Sequence, residues 1–293
     1  MKIQSLSICV PGNCPNSCEF CVAHMHKNDY KNQIEKNKAF HHLYKEDYYK
    51  RMAFARDNGC NTLIFTGNGE PLMNRRFMKM VSEINKRLDK PFRKIELQTS
   101  GVTINEETLR WLRNDIGVTT ISLSVSNLFN FQKNMEIMHV PKNLQYDLLT
   151  TFNLIKKYDF ILRMCLNISN WVNLPMYKGV EHIFTDLRVF NAEQVTFRKL
   201  YRSGKGTKQD RWIDSNKEYS KFWEDLNDYI ARYGRRLEKL PFGAIKYSVH
   251  EISTVIDKDC MSTKEDSEAL KYLILRQNCK LYSKWDDKGS LVF

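Results

Sequence analysis

The sequence predicts an α/β fold: a partial (β/α)6 TIM-like barrel with a small β-rich C-terminal extension. A doubly wound sheet is the alternative. Three observations predict it. Short β-branched or apolar runs alternate with longer segments of helical period, six times over. Units in such alternation pair their strands in parallel through right-handed crossovers, and six are too few for a closed eight-stranded barrel. After about residue 240 the alternation gives way to strand-like runs alone.

The strand runs are 3–10, 61–66, 93–98, 119–125, 160–167 and 193–199. Helical segments lie at about 45–58, 74–88, 105–115, 143–158, 174–187 and 216–234. In the first of them Tyr48, Tyr49, Met52, Ala53 and Ala55 share one broad face. In the third, Asn105 is a cap and Glu106 and Glu107 an acidic first turn ahead of Leu109 and Leu112. Pro241-Phe242-Gly243 breaks the chain, and 244–256, 272–276, 280–284 and 291–293 then read as strands, with a turn at Asp287-Lys288-Gly289. The expected organisation is a core over 1–240 and an extension over 241–293 that closes the barrel. The mixed aromatic and charged segment 275–287 is the piece expected to shield the open side.

Apolar residues make up 42% of the 293 positions, enough for a large core, which excludes disorder as the main state. The longest apolar runs, such as 62–65 and 120–125, are strand-sized, so no membrane helix is expected. Met1-Lys2-Ile3-Gln4-Ser5 is not a basic region followed by a long apolar one, so no secretory signal is read and a cytoplasmic location is expected. The net charge of +12 has two readings. It attracts nucleic acid or a phosphorylated small molecule, or it is a solvated surface of dispersed lysines. The denser run 201–208, with Arg202, Lys205 and Lys208, is the local exception to that dispersal.

Of the eight cysteines, Cys14, Cys18 and Cys21 fall within eight residues, and Cys9, Cys60, Cys165, Cys260 and Cys279 are scattered. Scattered cysteines in a chain of this kind read mostly as small buried hydrophobes. The C-x3-C-x2-C trio follows the first strand, at the rim where parallel barrels build their chemistry. Three thiolates on a tight loop can hold three irons of a cubane and leave the fourth iron open. Zinc is the other reading, with His24 or His26 as a fourth ligand. Together with His41 and His42 these histidines also read as a polar loop between the trio and the first helix. At the end of the second strand stands Thr66-Gly67-Asn68-Gly69-Glu70-Pro71, whose glycines let backbone approach a ligand and whose carboxylate can accept from an ammonium.

With these two motifs one βα unit apart, the sequence resembles the radical S-adenosylmethionine (radical SAM) superfamily. Cys14, Cys18 and Cys21 match its cluster motif, Phe20 its bulky residue before the third cysteine, and Gly67-Asn68-Gly69-Glu70-Pro71 its Gly-Gly-Glu-Pro motif with Asn inserted. The resemblance covers roughly residues 1–235. It implies one [4Fe–4S] cluster on the three cysteines and SAM bound at the open iron. It also implies reductive cleavage of SAM to a 5′-deoxyadenosyl radical that takes hydrogen from a substrate. By position it adds further cofactor contacts at Thr99 and Ser100 on the third strand, Ser124 on the fourth, Asn167 on the fifth and Arg198 on the sixth. Ser122 reads equally as barrel lining, and Arg198 also as half of a structural ion pair. A reductant such as flavodoxin or ferredoxin is the implied partner. The basic residues Arg198, Arg202, Lys205 and Lys208 suggest a small nucleotide-like or phosphorylated substrate. An RNA- or peptide-modifying enzyme is the alternative, with nucleic acid not favoured. Two further cysteines, Cys260 and Cys279, are too few for a second cluster.

Overall fold

The computed structural model describes residues 2–26, 41–240, 243–258, 260–261, 269–285 and 287–293. Its six N-terminal strands lie where the apolar runs placed them: β1 (Lys2–Cys9), β2 (Thr62–Thr66), β3 (Lys94–Thr99), β4 (Thr120–Val125), β5 (Ile161–Ile168) and β6 (Gln194–Lys199). They pair in parallel in chain order. The later strands are β7 (Gly234–Lys239), β8 (Ile245–Val249), β9 (Ile252–Asp257), β10 (Ala269–Leu275) and β11 (Leu281–Tyr282). They form no separate sheet. β9 adds in parallel beside β6, with β8 and β7 beyond it, while β10 adds in parallel beside β1 and carries β11. The single sheet therefore runs β11-β10-β1-β2-β3-β4-β5-β6-β9-β8-β7 and is not closed. The acid and base side chains of Asp257 and Lys271 meet across the gap between β9 and β10, Nζ to Oδ1 at 3.1 Å.

The helices are α1 (Val22–Met25), α2 (Lys45–Asp57), α3 (Arg75–Arg87), α4 (Glu106–Trp111), α5 (Phe131–Ile137), α6 (Leu148–Lys157), α7 (Val180–Val189), α8 (Lys208–Ser215) and α9 (Ser220–Tyr233). Asn105 caps α4 as its sequence implies, accepting from Thr108 N at 2.8 Å. The helix then widens into a π turn over Leu112–Ile116 that Gly117 ends at φ 82°. The helical segment expected from 143 begins at Leu148, because Asp147 caps it there, accepting from Thr150 N at 2.7 Å. α1, α5 and α8 are short and were not expected. Pro241 and Phe242 of the chain breaker lie outside the described residues.

Alternation along the strands sorts the side chains. Leu6, Ile8, Leu63, Phe65, Leu97, Leu123, Leu166 and Phe197 are fully buried on the outer face, against Met52, Val81, Leu109, Phe152, Phe184 and Leu226 of the helices. The inner face is polar and holds a hydrogen-bonded belt. Thr66 Oγ1 donates to Gln98 Oε1 at 2.9 Å, Gln98 Nε2 to Glu96 Oε1 at 3.1 Å, and Arg163 pairs with Glu96 while its Nε donates to Gln194 Oε1 at 2.8 Å. The Glu96 side chain is 5% exposed and that of Arg163 is 30%. Arg163→Met should therefore strand a buried carboxylate and lower unfolding stability by about 2–4 kcal/mol. Adding Glu96→Gln should recover part of the loss, and urea denaturation of the single and double variants checks both expectations. Equal losses in the two proteins would mean that the belt is not coupled.

Candidate functional site

The cysteine loop leaves β1 through Val10, whose N–H donates to Thr66 O at 2.8 Å and extends the β1–β2 ladder by one residue. Cys21 is the N-cap of α1, and Cys21 N donates back to Cys18 O at 3.1 Å. The backbone N–H groups of His24 and Ala23 face the Cys21 thiol, and those of Asn16 and Glu70 face the Cys14 thiol. Burial pushes Cys14 up to about 11 in spite of these donors, and raises Cys21 and, further, Cys18, whose thiol also feels Cys21 and Cys14. Among the described residues no three thiol, imidazole or carboxylate side chains stand gathered as a metal site, but three thiols on one loop, each costly to ionise where it stands, suit a bound metal group whose positive charge offsets three thiolates. The donor set is soft sulfur and fits an iron–sulfur cluster.

The Gly67–Pro71 segment packs directly on this loop. A Cβ at Gly69 would stand 2.7 Å from Gly12 O, and Gly67 adopts φ 142° against Cys9 and Val10. Glu70 is 4% exposed and all its acceptor positions are spent. Oε1 accepts from Thr99 Oγ1 at 2.7 Å and Leu72 N at 3.4 Å, and Oε2 from Ser100 N at 2.9 Å and Ser100 Oγ at 2.7 Å. Its pKa is raised, since burial outweighs these donors. Glu70 thus ties the ends of β2 and β3 together. The Tyr146 hydroxyl, which the sequence did not single out, donates to Ser100 O and anchors the same rim from outside. Asn74 was missed too: its Nδ2 donates to Pro11 O at 2.7 Å, joining the start of α3 to the cysteine loop.

A cavity of about 1340 Å³ fills the barrel, and every candidate residue lines it: Cys14, Cys18, Phe20, Cys21, Gly67, Asn68, Gly69, Glu70, Pro71, Thr99, Ser100, Ser124, Asn167 and Arg198. Ser122 is buried and does not line it. Asn167, Arg198 and Asp257 stand side by side across β5, β6 and β9. Arg198 lies 3.7 Å from Asp257, an ion pair the sequence allowed but whose partner it did not identify. Cys9, Cys60, Cys165 and Cys279 are buried, and Cys260 is half-buried on the cavity wall. Two of the four histidines are buried: His26 is 1% exposed and packs against Tyr201, and His41 is 7% exposed between Tyr48 and Phe77. Their imidazoles are flat enough to pack among aromatic side chains, and sequence polarity alone misplaced them.

The loop after β6 braces the cysteine loop. Phe20 meets Trp212 of α8 at 6.3 Å, and Glu19 lies 2.6 Å from His139 and 3.7 Å from Lys208. Asp210 organises this loop, accepting from Ser203 N and Oγ and from Thr207 N and Oγ1 within 2.9 Å. Burial works against its charge, but these donors outweigh it and hold the carboxyl well below the usual range. A depressed folded pKa adds stability above the unfolded value of about 3.9, and that stability is lost as pH falls toward the folded value. Asp210→Asn should thus cost about 1 kcal/mol at pH 7 through the lost cap. Thermal unfolding from pH 7 to pH 2 should show the gap from the parent narrowing below about pH 4. A gap that does not change with pH would remove the charge from the account.

The rim of the unclosed parallel barrel thus carries three cysteines on one loop. Residues 8–182, more than half the chain, match the family described as the Radical SAM superfamily. The chain belongs to that superfamily. Its fold is similar to Streptococcus suis SuiB bound to S-adenosylmethionine, with TM-score 0.59 and 16% identity over 96% of this chain and 60% of that one. SuiB bound to precursor peptide SuiA gives TM-score 0.59 and 14% identity over 96% of this chain and 59% of that one. Native anSMEcpe with bound AdoMet and Cp18Cys peptide gives TM-score 0.57 and 14% identity over 98% and 75% of the two chains. The chain spans about three fifths of the length of SuiB. No curated protein sequence matches it. Among the described residues no helix is long and apolar enough to cross a membrane.

Proposed function

We propose that Cys14, Cys18 and Cys21 hold one [4Fe–4S] cluster, that SAM binds beside it in the barrel, and that the substrate is a peptide. When bound, cluster and SAM supply a one-electron reductive cleavage whose product takes a hydrogen atom from the substrate. The chain's own residues do the holding. Glu70 fixes Thr99 and Ser100, so that the rim between β2 and β3 is rigid before any ligand arrives. Ser124 and Asn167 offer a hydroxyl and an amide on the cavity wall to the ribose or carboxylate of SAM. The barrel walls and Trp285 line the cavity around the reacting groups.

The observation that carries the substrate class is the balance of charge in and around this large cavity. Three of the four cations that suggested a phosphorylated substrate are paired: Arg198 with Asp257, Arg202 with Asp214 at 2.7 Å, and Lys208 with Glu19. Acid and base side by side suit the amide dipoles and mixed side chains of a peptide better than a phosphate. The volume exceeds the roughly 300–1,000 Å³ of ordinary ligand pockets, which leaves room for a chain beside the cofactor. SuiB and anSMEcpe, whose fold this chain shares, were each solved with a peptide bound. The test is 5′-deoxyadenosine release from anaerobically reconstituted protein, reduced with flavodoxin or ferredoxin, against a peptide library and a panel of nucleotides and sugar phosphates. Stimulation by peptides alone is the expected result. Stimulation by phosphorylated compounds alone would return the small-molecule reading.

A further inference from the structure

Among the described residues the parallel strands follow one another around the cavity in the order β10-β1-β2-β3-β4-β5-β6-β9. The Asp257–Lys271 ion pair brings the two ends of that series, β9 and β10, together. β6 therefore stands four places from β2 in either direction, on the wall opposite the Gly67–Pro71 segment. That far wall carries Thr196 and Arg198 on β6, Asp257 on β9 and Lys271 on β10, and all four line the cavity.

Arg198 is a guanidinium whose charge is balanced but whose hydrogen-bond donors are unused. Its carboxylate neighbour, Asp257, has Oδ2 3.7 Å from Nε, beyond hydrogen-bond reach. The other carboxylate oxygen, Oδ1, is held by Lys271 Nζ at 3.1 Å. Arg198 Nε is buried with no partner. Nη1 and Nη2 make no hydrogen bond among the described residues, and unlike Nε they are not closed off, the side chain being 29% exposed on the cavity wall. Cys165 and Tyr272 lie close by, and burial pushes both the thiol and the phenol up, so neither supplies a negative charge. Thr196, two residues back on the same face of β6, lines the cavity too, and its hydroxyl has no partner among the described residues. A charged group held out of bulk water without hydrogen bonds is costly, and an acceptor on a ligand in the cavity removes that cost.

We propose that Arg198 and Thr196 form a subsite for a carboxylate of the peptide substrate, so that the chain selects a peptide with an acidic side chain near the position that loses hydrogen. The inference rests on the peptide reading above. A planar guanidinium offers two parallel N–H groups, which match the two oxygens of a carboxylate. A phosphate monoester carries about −1.5 to −2 at pH 7, and beside the Asp257 carboxylate it is repelled more strongly than a single negative charge. Arg198 faces the Gly67–Pro71 segment from across the cavity, which assigns it to the substrate and not, as the family resemblance implied, to the cofactor.

The test is saturation-transfer NMR on the full chain carrying its cluster. The probes are two capped tripeptides, acetyl-Gly-Asp-Gly-amide and its Asn counterpart, with inorganic phosphate and acetate as competitors. The Asp tripeptide should bind at least about tenfold more tightly than the Asn one, the scale of a hydrogen bond to a charged group. Arg198→Gln should abolish that preference. Arg198→Lys, which keeps the charge without the paired donors, should retain part of it, and serves in place of Arg198→Gln if that variant does not fold. Equal binding of the two tripeptides, binding of neither, or a preference that survives in Arg198→Gln overturns the proposal. So does a matching loss of SAM affinity in Arg198→Gln, which would return the residue to the cofactor. Phosphate competing more strongly than acetate would overturn it as well, in favour of a phosphorylated ligand. Stimulation of 5′-deoxyadenosine release by phosphorylated compounds alone would strike the peptide reading, while an Asp preference that depends on Arg198 would still establish the carboxylate subsite.

Discussion

Cys18→Ser is expected to reduce 5′-deoxyadenosine formation to background, a loss on the order of 10³-fold or more, as when one member of a unit that acts together is removed. Of the three thiols, Cys18 is the one that burial and the other two together push highest. That position disfavours a free thiolate and favours a metal-bound one. A serine hydroxyl there is a harder, far weaker acid, and it would face the same desolvation without the compensation of an iron–sulfur bond. Iron and sulfide per chain should fall together, and the reduced protein should lose the paramagnetic signal that SAM shifts in the parent. Cys60→Ala is the matched control. Cys60 is fully buried in the outer core and does not line the barrel cavity, so cluster content should survive even where stability drops. Full iron and activity in Cys18→Ser would send the search to other ligands, with Cys260 on the cavity wall first.

The six-strand core and the rim residues were legible because two local signals coincide there. Runs such as Thr120–Val125 and Ile161–Ile168 are β-branched, short and bounded, and a parallel strand buried on one side by helices needs little more. Once the strands are placed, parallel pairing alone brings their C-terminal ends to one rim, so Thr99, Ser124, Asn167 and Arg198 follow from strand ends. What was not legible depends on contacts between distant segments. β7 is a run of exposed charge, Gly-Arg-Arg-Leu-Glu-Lys, that becomes a strand only through its partner β8. Strands β9 and β10 are close in sequence yet join opposite edges of the sheet, a choice no local pattern encodes. The same holds for polar partners. Arg198 signalled that it needs a counter-charge, but Asp257 lies 59 residues on, and only the register of β6 against β9 brings the two together.

The contact between the glycine motif and the cysteine loop supports the second large effect. Gly69→Ala is expected to lower turnover by about a hundredfold, the scale on which a 1 Å misplacement of reacting groups acts. The added methyl would meet Gly12 O at 2.7 Å, Gly12 C at 3.1 Å and Asn13 C at 3.2 Å. All three are backbone atoms, so no side chain can rotate away. Either the Gly67–Pro71 segment or the loop that begins at Gly12 must shift, at a cost of about 1–3 kcal/mol for an overpacked site. The Gly67–Pro71 segment is the harder of the two to move. Glu70 is held by four donors from β3, its rim and the following turn, and its backbone N–H faces the Cys14 thiol. The displacement should therefore fall on Gly12 and Asn13 and reach Cys14 one residue later. Iron content should fall less than turnover, because three thiols on a short loop can still gather around a cluster whose place in the barrel has moved. The distinguishing measurement is the split between kcat and KM for SAM. A loop pushed out of register lowers kcat even with SAM saturating, whereas a simple loss of SAM contacts raises KM and leaves kcat near the parent value. An unchanged kcat with full iron would show that Gly69 is needed for the turn itself and not for the approach of the two motifs.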